Sequence, residues 1–223
     1  MPPPSFAEPR PAPVCQEAAT EFNVKQLDAM LAPIALYPDE LLTQVLMALT
    51  YPLQVVAAAR WLEEGDNKKL KGTALTQALG SESWDPSVKS LVPFPQVLTI
   101  INADLEWTEQ LGYAMATQQA AVLDSIQRLR REAQKAGRLK TTEQQCVVVQ
   151  EDNVVIQPAY PETVYVPVDN PEVYGEWPYR SYPPVYIPPA PAYYPPDYTL
   201  GAGLASPAGV AVIGVLWGWA RPA

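Results

Sequence analysis

Acidic and hydroxyl side chains are the groups in this sequence whose types and spacing could support catalysis. Asp39 and Glu40 are adjacent carboxylates. Neighbouring positions on a helix point in different directions, so the two groups do not converge as the paired carboxylates of a hydrolase must. The acidic run at 63–66 lacks the alternating ligands of a calcium loop. The serines between 81 and 87 have no base for a conventional triad, because the chain contains no histidine. We therefore expect no catalytic, metal or cofactor site, and a hydrolase with paired carboxylates is the least favoured function.

Charge and composition limit the classes of partner. The 223 residues carry a formal net charge of −9, which argues against nucleic acid. The 26 prolines are about twice the usual share, so part of the chain is expected to lie outside a packed core. The two cysteines, Cys15 and Cys146, are too few for a disulfide framework. Two free thiols are the favoured state, and a bridge between them is the alternative.

Aromatic side chains are the more promising binding groups. Residues 171–198 contain nine prolines and seven tyrosines, which favours a polyproline II arm with projecting rings. The rings either pack along a groove of the folded body or face a partner. Polyproline segments suit recognition because they lose little conformational entropy on binding. The residues assigned to partner binding are Tyr174, Trp177, Tyr179, Tyr182, Tyr186, Tyr193 and Tyr194.

Three tryptophans lie near predicted helix ends, at Trp61, Trp84 and Trp107. Anchoring of the hydrophobic core is the favoured role for these rings. A platform on which a carbohydrate stacks is the alternative, and it leads to the hypothesis of a glycan- or peptidoglycan-binding module.

The segment TLGAGLASPAGVAVIGVLWGWA (199–220) is uncharged over 22 residues. As a helix it would be about 33 Å long, enough for a hydrocarbon layer of ~30 Å. Five glycines and Pro207 weaken such a helix, so a flexible tail and a packed helix remain alternatives to membrane association. The residues assigned to membrane contact are Val212, Ile213, Leu216, Trp217 and Trp219, of which the tryptophans resemble an interfacial belt.

Prolines divide the most apolar part of the chain into short helices. The dipeptide Tyr-Pro occurs at 37–38 and again at 51–52, and proline is favoured in the first turn of a helix. Each helix then has roughly 12 residues, or about 18 Å, too short to cross a bilayer. We predict a buried helical hairpin. Its two buried stripes are predicted to be Leu41, Leu42, Val45, Leu46 and Leu49, followed by Leu53, Val56, Ala57, Arg60 and Trp61.

The rest of the chain predicts further short helices, one long helix and a small sheet. Asp85 is a predicted N-cap, and the longest helix is predicted from about Ala103 to Ala136, ended by Gly137. Short β-branched runs at 146–150, 153–158 and 163–168 predict an antiparallel β-meander docked on the helices.

Several motifs together carry a resemblance to a known family. They are LAPIALYPDELLTQVLMALTYPLQVVAAARWL, WDPSVKSLVPFPQVL, DLEWTEQLG and PAYPETVYVPVDNPEVYGEWPY. The chain resembles, over roughly residues 27–186, the bacterial family known as Domain of Unknown Function 3300. The resemblance implies an exported envelope protein and brings no catalytic residues. The first residues carry no recognisable signal peptide, since no basic region precedes an apolar run.

The expected fold is mainly α, a compact bundle of short helices begun by prolines plus one long helix. The expected organisation is a disordered N-terminal arm (1–21), a helical domain (22–137), a β-meander packed on it (138–170), a Pro/Tyr-rich extended arm (171–198) and an apolar tail (199–223). The expected function is a non-enzymatic interaction or scaffold module at a membrane of the cell envelope. It would act through a protein partner, with glycan binding as the alternative.

Overall fold

The computed structural model describes residues 21–160, 164–166 and 171–187. Within these residues the fold is mainly helical, as predicted, with one small antiparallel sheet. The helices are α1 (Val24–Leu31), α2 (Asp39–Ala48), α3 (Pro52–Glu63), α4 (Gly72–Gly80), α5 (Pro86–Leu91), α6 (Pro95–Ala103), α7 (Leu105–Thr117) and α8 (Gln119–Lys135). The strands are β1 (Gln145–Gln150) and β2 (Asn153–Pro158), and short 3-10 turns cover Asn67–Lys69 and Pro171–Tyr174. The predicted N-terminal arm, apart from its last residue, and the predicted apolar tail lie outside the described residues.

Prolines start the helices as the sequence predicts. Pro52, Pro86 and Pro95 are the first residues of α3, α5 and α6. Pro38 is the residue immediately before α2. The predicted N-cap Asp85 is confirmed, because its carboxylate accepts a hydrogen bond from a backbone N–H of the first turn of α5 at 2.8 Å.

α2 and α3 meet at a sharp corner whose break falls at the predicted Tyr-Pro dipeptide. The two helices are bent by 109°, so the predicted hairpin is a corner and not a pair of antiparallel helices. Among the described residues, no single helix combines the length and apolar character needed to cross a bilayer. This bent pair meets that requirement only jointly, by length and composition.

The buried face predicted for α2 is confirmed, whereas the face predicted for α3 is wrong. All five predicted α2 residues are at most 5% exposed. On α3, Leu53 is 81% exposed, and the fully buried residues are Val55 and Ala58. The chain turns through 109° between the helices. The face that α2 buries therefore does not determine the face that α3 buries.

The predicted helix from Ala103 to Ala136 is wrong, because two helices and part of a third occupy this stretch. Ala103 ends α6, and Asp104 caps the start of α7 by accepting from Trp107 N at 3.0 Å. Gln118 separates α7 from α8 with φ −133° and ψ 37°. Its side-chain amide accepts from Phe22 N at 2.9 Å and donates to Phe22 O at 3.0 Å. Gln118 thus connects the beginning of the helical body, at Phe22, to the break between α7 and α8.

The predicted three-stranded meander is a two-stranded hairpin in the described residues. β1 and β2 pair antiparallel, with Gln150 opposite Asn153 across a two-residue turn. Residues 164–166, within the predicted third strand, are not in a strand. Both outer edges of the hairpin are occupied by side chains. Thr141 bonds the backbone N–H and C=O of Val147 on β1 at 3.0 and 3.2 Å, and side chains of α2 and α8 bond the edge of β2.

α7 packs against the α2–α3 corner through Gly112. A Cβ atom at this position would lie 2.1 Å from the Leu49 carbonyl oxygen and 3.3 Å from Thr50 N. Two backbones therefore approach each other here more closely than any residue with a side chain allows, and this contact fixes α7 against the corner.

We expect the Gly112→Ala substitution to lower the free energy of unfolding by about 1–3 kcal/mol, because α7 must move away from the corner. Urea denaturation followed by circular dichroism measures the change. Gly80→Ala is the matched control, since Gly80 ends α4 and a Cβ there meets no atom within 4 Å. Equal stability of the Gly112→Ala variant and the control would contradict the close approach.

Candidate functional site

Arg130 of α8 is a fully buried charged side chain, with 1% exposure. Its guanidinium donates to the carbonyl oxygens of Ala35 at 2.8 Å, Tyr37 at 2.9 Å and Val154 at 2.8 Å, and it forms an ion pair with Asp39. The first two carbonyls precede α2, and the third belongs to β2. One side chain therefore joins the long helix, the segment before α2 and the hairpin.

The outer edge of β2 is completed by side chains. Val154 N donates to the side-chain oxygen of Gln127 at 2.8 Å, and Ile156 N donates to the second carboxylate oxygen of Asp39 at 3.3 Å. An unpaired strand edge otherwise leaves backbone groups without partners or open to another chain. The Asp39 carboxylate is used for this structural role, whereas Glu40 is exposed.

A half-open groove of about 310 Å³ lies beside Arg130, between α2, α8 and the start of β2. Its apolar lining consists of Leu42, Leu46, Leu123 and Ile126, and its polar lining of Asp39, Thr43, Asp124, Gln127, Arg130 and Asn153. Arg130 and Asp39 are bonded to each other and to backbone groups of the fold. Within the part of the chain that the structure describes, no three His, Cys, Asp or Glu side chains are placed to hold a metal ion.

The first half of the Pro/Tyr-rich arm packs on the helical body. Tyr174 is buried, and its hydroxyl donates to the Ala32 carbonyl oxygen at 2.6 Å. Trp177 contacts the Tyr174 ring edge-on at 5.9 Å between centroids, and its indole N–H donates to the Tyr182 carbonyl oxygen at 2.8 Å. Residues 171–182 therefore form a compact aromatic cluster, which agrees for this part of the arm with the alternative that the rings pack on the folded body.

A charged cluster holds the arm at Tyr179. Its hydroxyl donates to the Asp28 carboxylate at 3.0 Å, and Asp28 is buried within α1. Arg128 of α8 donates two nearly parallel hydrogen bonds to the same carboxylate, at 2.8 and 3.0 Å. Lys25 lies over the Tyr179 ring, 5.8 Å from its centroid. One buried carboxylate thus connects α1, α8 and the arm.

The environment of this cluster shifts the pKa values of two side chains, Arg128 and Tyr179. The hydrogen bond with Asp28 raises the pKa of Arg128, an effect that burial opposes and the negative charge of Asp28 adds to. Burial raises the pKa of Tyr179, and the hydrogen bond to Asp28 raises it further. Both shifts favour the protonated forms that make the observed contacts.

The last described residues of the arm remain in contact with the body. Val185 N donates to the Ala29 carbonyl oxygen at 2.9 Å, and Ile187 is buried. Between them the Tyr186 ring is 56% exposed, whereas Tyr182 is partly buried. Tyr193, Tyr194 and the residues assigned to membrane contact, Val212, Ile213, Leu216, Trp217 and Trp219, lie outside the described residues.

The three tryptophans of the body pack inward. Trp107 is 3% exposed, and its indole N–H donates to the Met30 carbonyl oxygen at 2.8 Å. Trp61 and Trp84 contact each other edge-to-face at 6.0 Å and pack against the core. This arrangement agrees with core anchoring, because an edge-to-face pair does not present two coplanar rings to a sugar. Cys146 is a free thiol, while Cys15 lies outside the described residues.

Comparison with known proteins places the chain in a family. The family described as "Protein of unknown function (DUF3300)" matches residues 23–221. The chain belongs to this family. The DUF3300 chain is also similar to "Uncharacterized protein YacH" of Escherichia coli (strain K12), with 40% identity over 201 residues. That match covers 75% of this chain and 32% of the relative, so the chain spans about a third of the relative's length. No solved structure matches it.

Sequence reasoning missed Asp28 and Arg130 in the DUF3300 chain. Arg130 lies four residues after Ile126 and three before Ala133, on the buried face of α8. Asp28 lies between the apolar residues Leu27 and Ala29, in the buried half of α1. A charged residue in the register of a buried stripe is the signal that could have revealed both.

We expect Arg130→Met to lower the free energy of unfolding by about 3–5 kcal/mol, because three backbone carbonyls and the Asp39 carboxylate lose their partner. Arg131→Met is the matched control, because Arg131 is exposed and donates only to the Asp152 carbonyl oxygen at 3.2 Å. The control should change stability by less than about 0.5 kcal/mol. Urea denaturation compares the two variants, and equal effects would contradict the assigned role of Arg130.

We also expect the docking of the arm to weaken at alkaline pH. The pKa of Tyr179 is raised in the folded state, so its stabilising contribution is complete below about pH 10 and is lost as the pH rises through the raised value. The phenolate would then face the Asp28 carboxylate. NMR of tyrosine labelled at the ring carbon that bears the hydroxyl measures this pKa, with Tyr179→Phe as the assignment control. A Tyr179 resonance that titrates at or below pH 10 would contradict the buried contact.

Proposed function

We propose that this chain is a non-enzymatic interaction or scaffold module of the bacterial cell envelope, positioned at a membrane, in which the helical body holds an aromatic arm for a protein partner. The observation that carries the proposal is the asymmetry of the arm. Tyr174 and Tyr179 are fixed to the body by hydrogen bonds at 2.6 and 3.0 Å, whereas the Tyr186 ring is 56% exposed.

Anchoring of this kind suits recognition. The Val185 amide and the buried Ile187 side chain hold the backbone on both sides of Tyr186. The ring is therefore displayed at a defined place while most of it remains free of contacts. Because the backbone at Tyr186 is already held in place, less free energy is lost to ordering when a partner binds this ring.

The placement at a membrane is supported by the sequence that follows the arm. Residues 199–220 are uncharged and long enough as a helix to reach across a hydrocarbon layer. The location in the cell envelope is inferred from the family resemblance. Together they support the proposal that the chain acts at a membrane of the envelope.

We expect a photo-crosslinking amino acid at position 186 to capture a defined partner in native envelopes. Position 160 is the matched control, because Tyr160 is also a highly exposed tyrosine, at 62%, but lies outside the arm. A synthetic peptide covering residues 182–198 should abolish the capture at 186 by competition. The captured species is identified by mass spectrometry.

Two outcomes would contradict the proposal. The same captured species at positions 186 and 160, or none at 186, would remove the role of the arm. If cell-wall glycan fragments and not the peptide displaced the captured species, the glycan-binding alternative would replace the protein partner. Tryptophan fluorescence in the presence of the same fragments checks that alternative independently.

A further inference from the structure

The α2–α3 corner exposes apolar side chains that the helical body does not use. Met47 is 44% exposed, Tyr51 38% and Leu53 81%. They lie within seven residues of sequence, around the corner. Leu53 touches little of the protein at this exposure, so it projects from the surface and does not line a groove.

One face of each of the two helices is buried in the core. The α2 stripe is buried, and Val55 and Ala58 of α3 are 0% exposed. The bent pair therefore cannot cross a bilayer unless the body unfolds, although its composition is sufficiently apolar. Within these two helices and the turn between them, the exposed large apolar side chains are those at the corner.

The corner also lacks charge. Residues 41–59 contain no Asp, Glu, Lys or Arg. α7 packs against the corner and fixes its position, because Gly112 lies directly against Leu49 and Thr50. A rigid, uncharged projection that combines leucine and methionine with a tyrosine matches the boundary between lipid headgroups and acyl chains, where aromatic rings with a polar end are favoured.

We propose that the α2–α3 corner is a lipid-contact site, at which Met47, Tyr51 and Leu53 enter the interfacial layer of a zwitterionic bilayer. The net charge of −9 disfavours an anionic surface, and the corner offers no basic residue to bind one. The inference rests on the membrane location in the proposed function but not on the partner of the arm. It adds a contact on the folded body to the contact proposed for the apolar tail, and two contacts would fix the orientation of the body.

The test uses the full chain with phosphatidylcholine vesicles and measures partitioning by flotation. Leu53→Asp should weaken partitioning about tenfold, because it replaces an inserted leucine by a charge. Val149→Asp is the matched control, since Val149 is 56% exposed on β1 and should change partitioning by less than about twofold. Leu216→Asp probes the tail separately.

A second measurement reports the corner directly. An environment-sensitive dye is attached at Leu53→Cys, with Cys15→Ser and Cys146→Ser, and at Val149→Cys in the same background. The dye at 53 should shift to the blue with vesicles and be quenched by a nitroxide lipid labelled near the headgroup, whereas the dye at 149 should not. No shift at 53, or equal shifts at both positions, overturns the inference.

The outcomes separate this inference from the proposed function. Partitioning lost only in Leu216→Asp, with no dye shift at 53, would exclude the corner and leave the membrane location intact. No partitioning of the unmodified chain would overturn both the corner site and the membrane location. The arm and its partner would still be decided by crosslinking at position 186.

Discussion

The buried guanidinium of Arg130 is the contact on which the arrangement of the described fold depends. It bonds the carbonyl oxygens of Ala35 and Tyr37, the Asp39 carboxylate and the Val154 carbonyl oxygen. Burying a charge is costly unless it is paired and fully hydrogen-bonded. Here the partners come from the segment before α2 and from the hairpin, so the charge is satisfied only when helices and sheet are assembled together.

Helix α8 joins this internal contact to the surface that carries the arm. Arg128 lies two positions before Arg130, and positions two apart on a helix do not share a face. Arg130 faces the hairpin, while Arg128 bonds Asp28 and, through that carboxylate, the Tyr179 hydroxyl. A two-stranded hairpin is only marginally stable alone. The side chains of α8 and α2 give it a fixed place, and the aromatic arm is fixed on another side of the same helix.

Local signals in the sequence predicted much of the fold, because they act within a few residues. Prolines started α3, α5 and α6, Asp85 capped α5, and Gly137 follows α8 with φ +70°. The exposed face of α3, the break at Gln118 and the absence of a strand at the described residues 164–166 were not predicted. Each depends on a contact between distant parts of the chain, such as Gln118 with Phe22 or Asp39 with Ile156. The candidate site was likewise predicted only in part. Composition predicted an aromatic arm, but Asp28, which holds it, was visible only as a charge within an apolar helix.

The most direct test is native-state hydrogen exchange of the Val154 and Ile156 amides. It measures whether side chains of α2 and α8 hold the hairpin against the helices. These amides lie on the outer edge of β2 and donate to Gln127 and Asp39. If the account is correct, both amides exchange only with the free energy of global unfolding, like the core of α8. Exchange at a much lower free energy, while α8 remains protected, would show that the hairpin opens independently. That result would contradict the role assigned to these side chains.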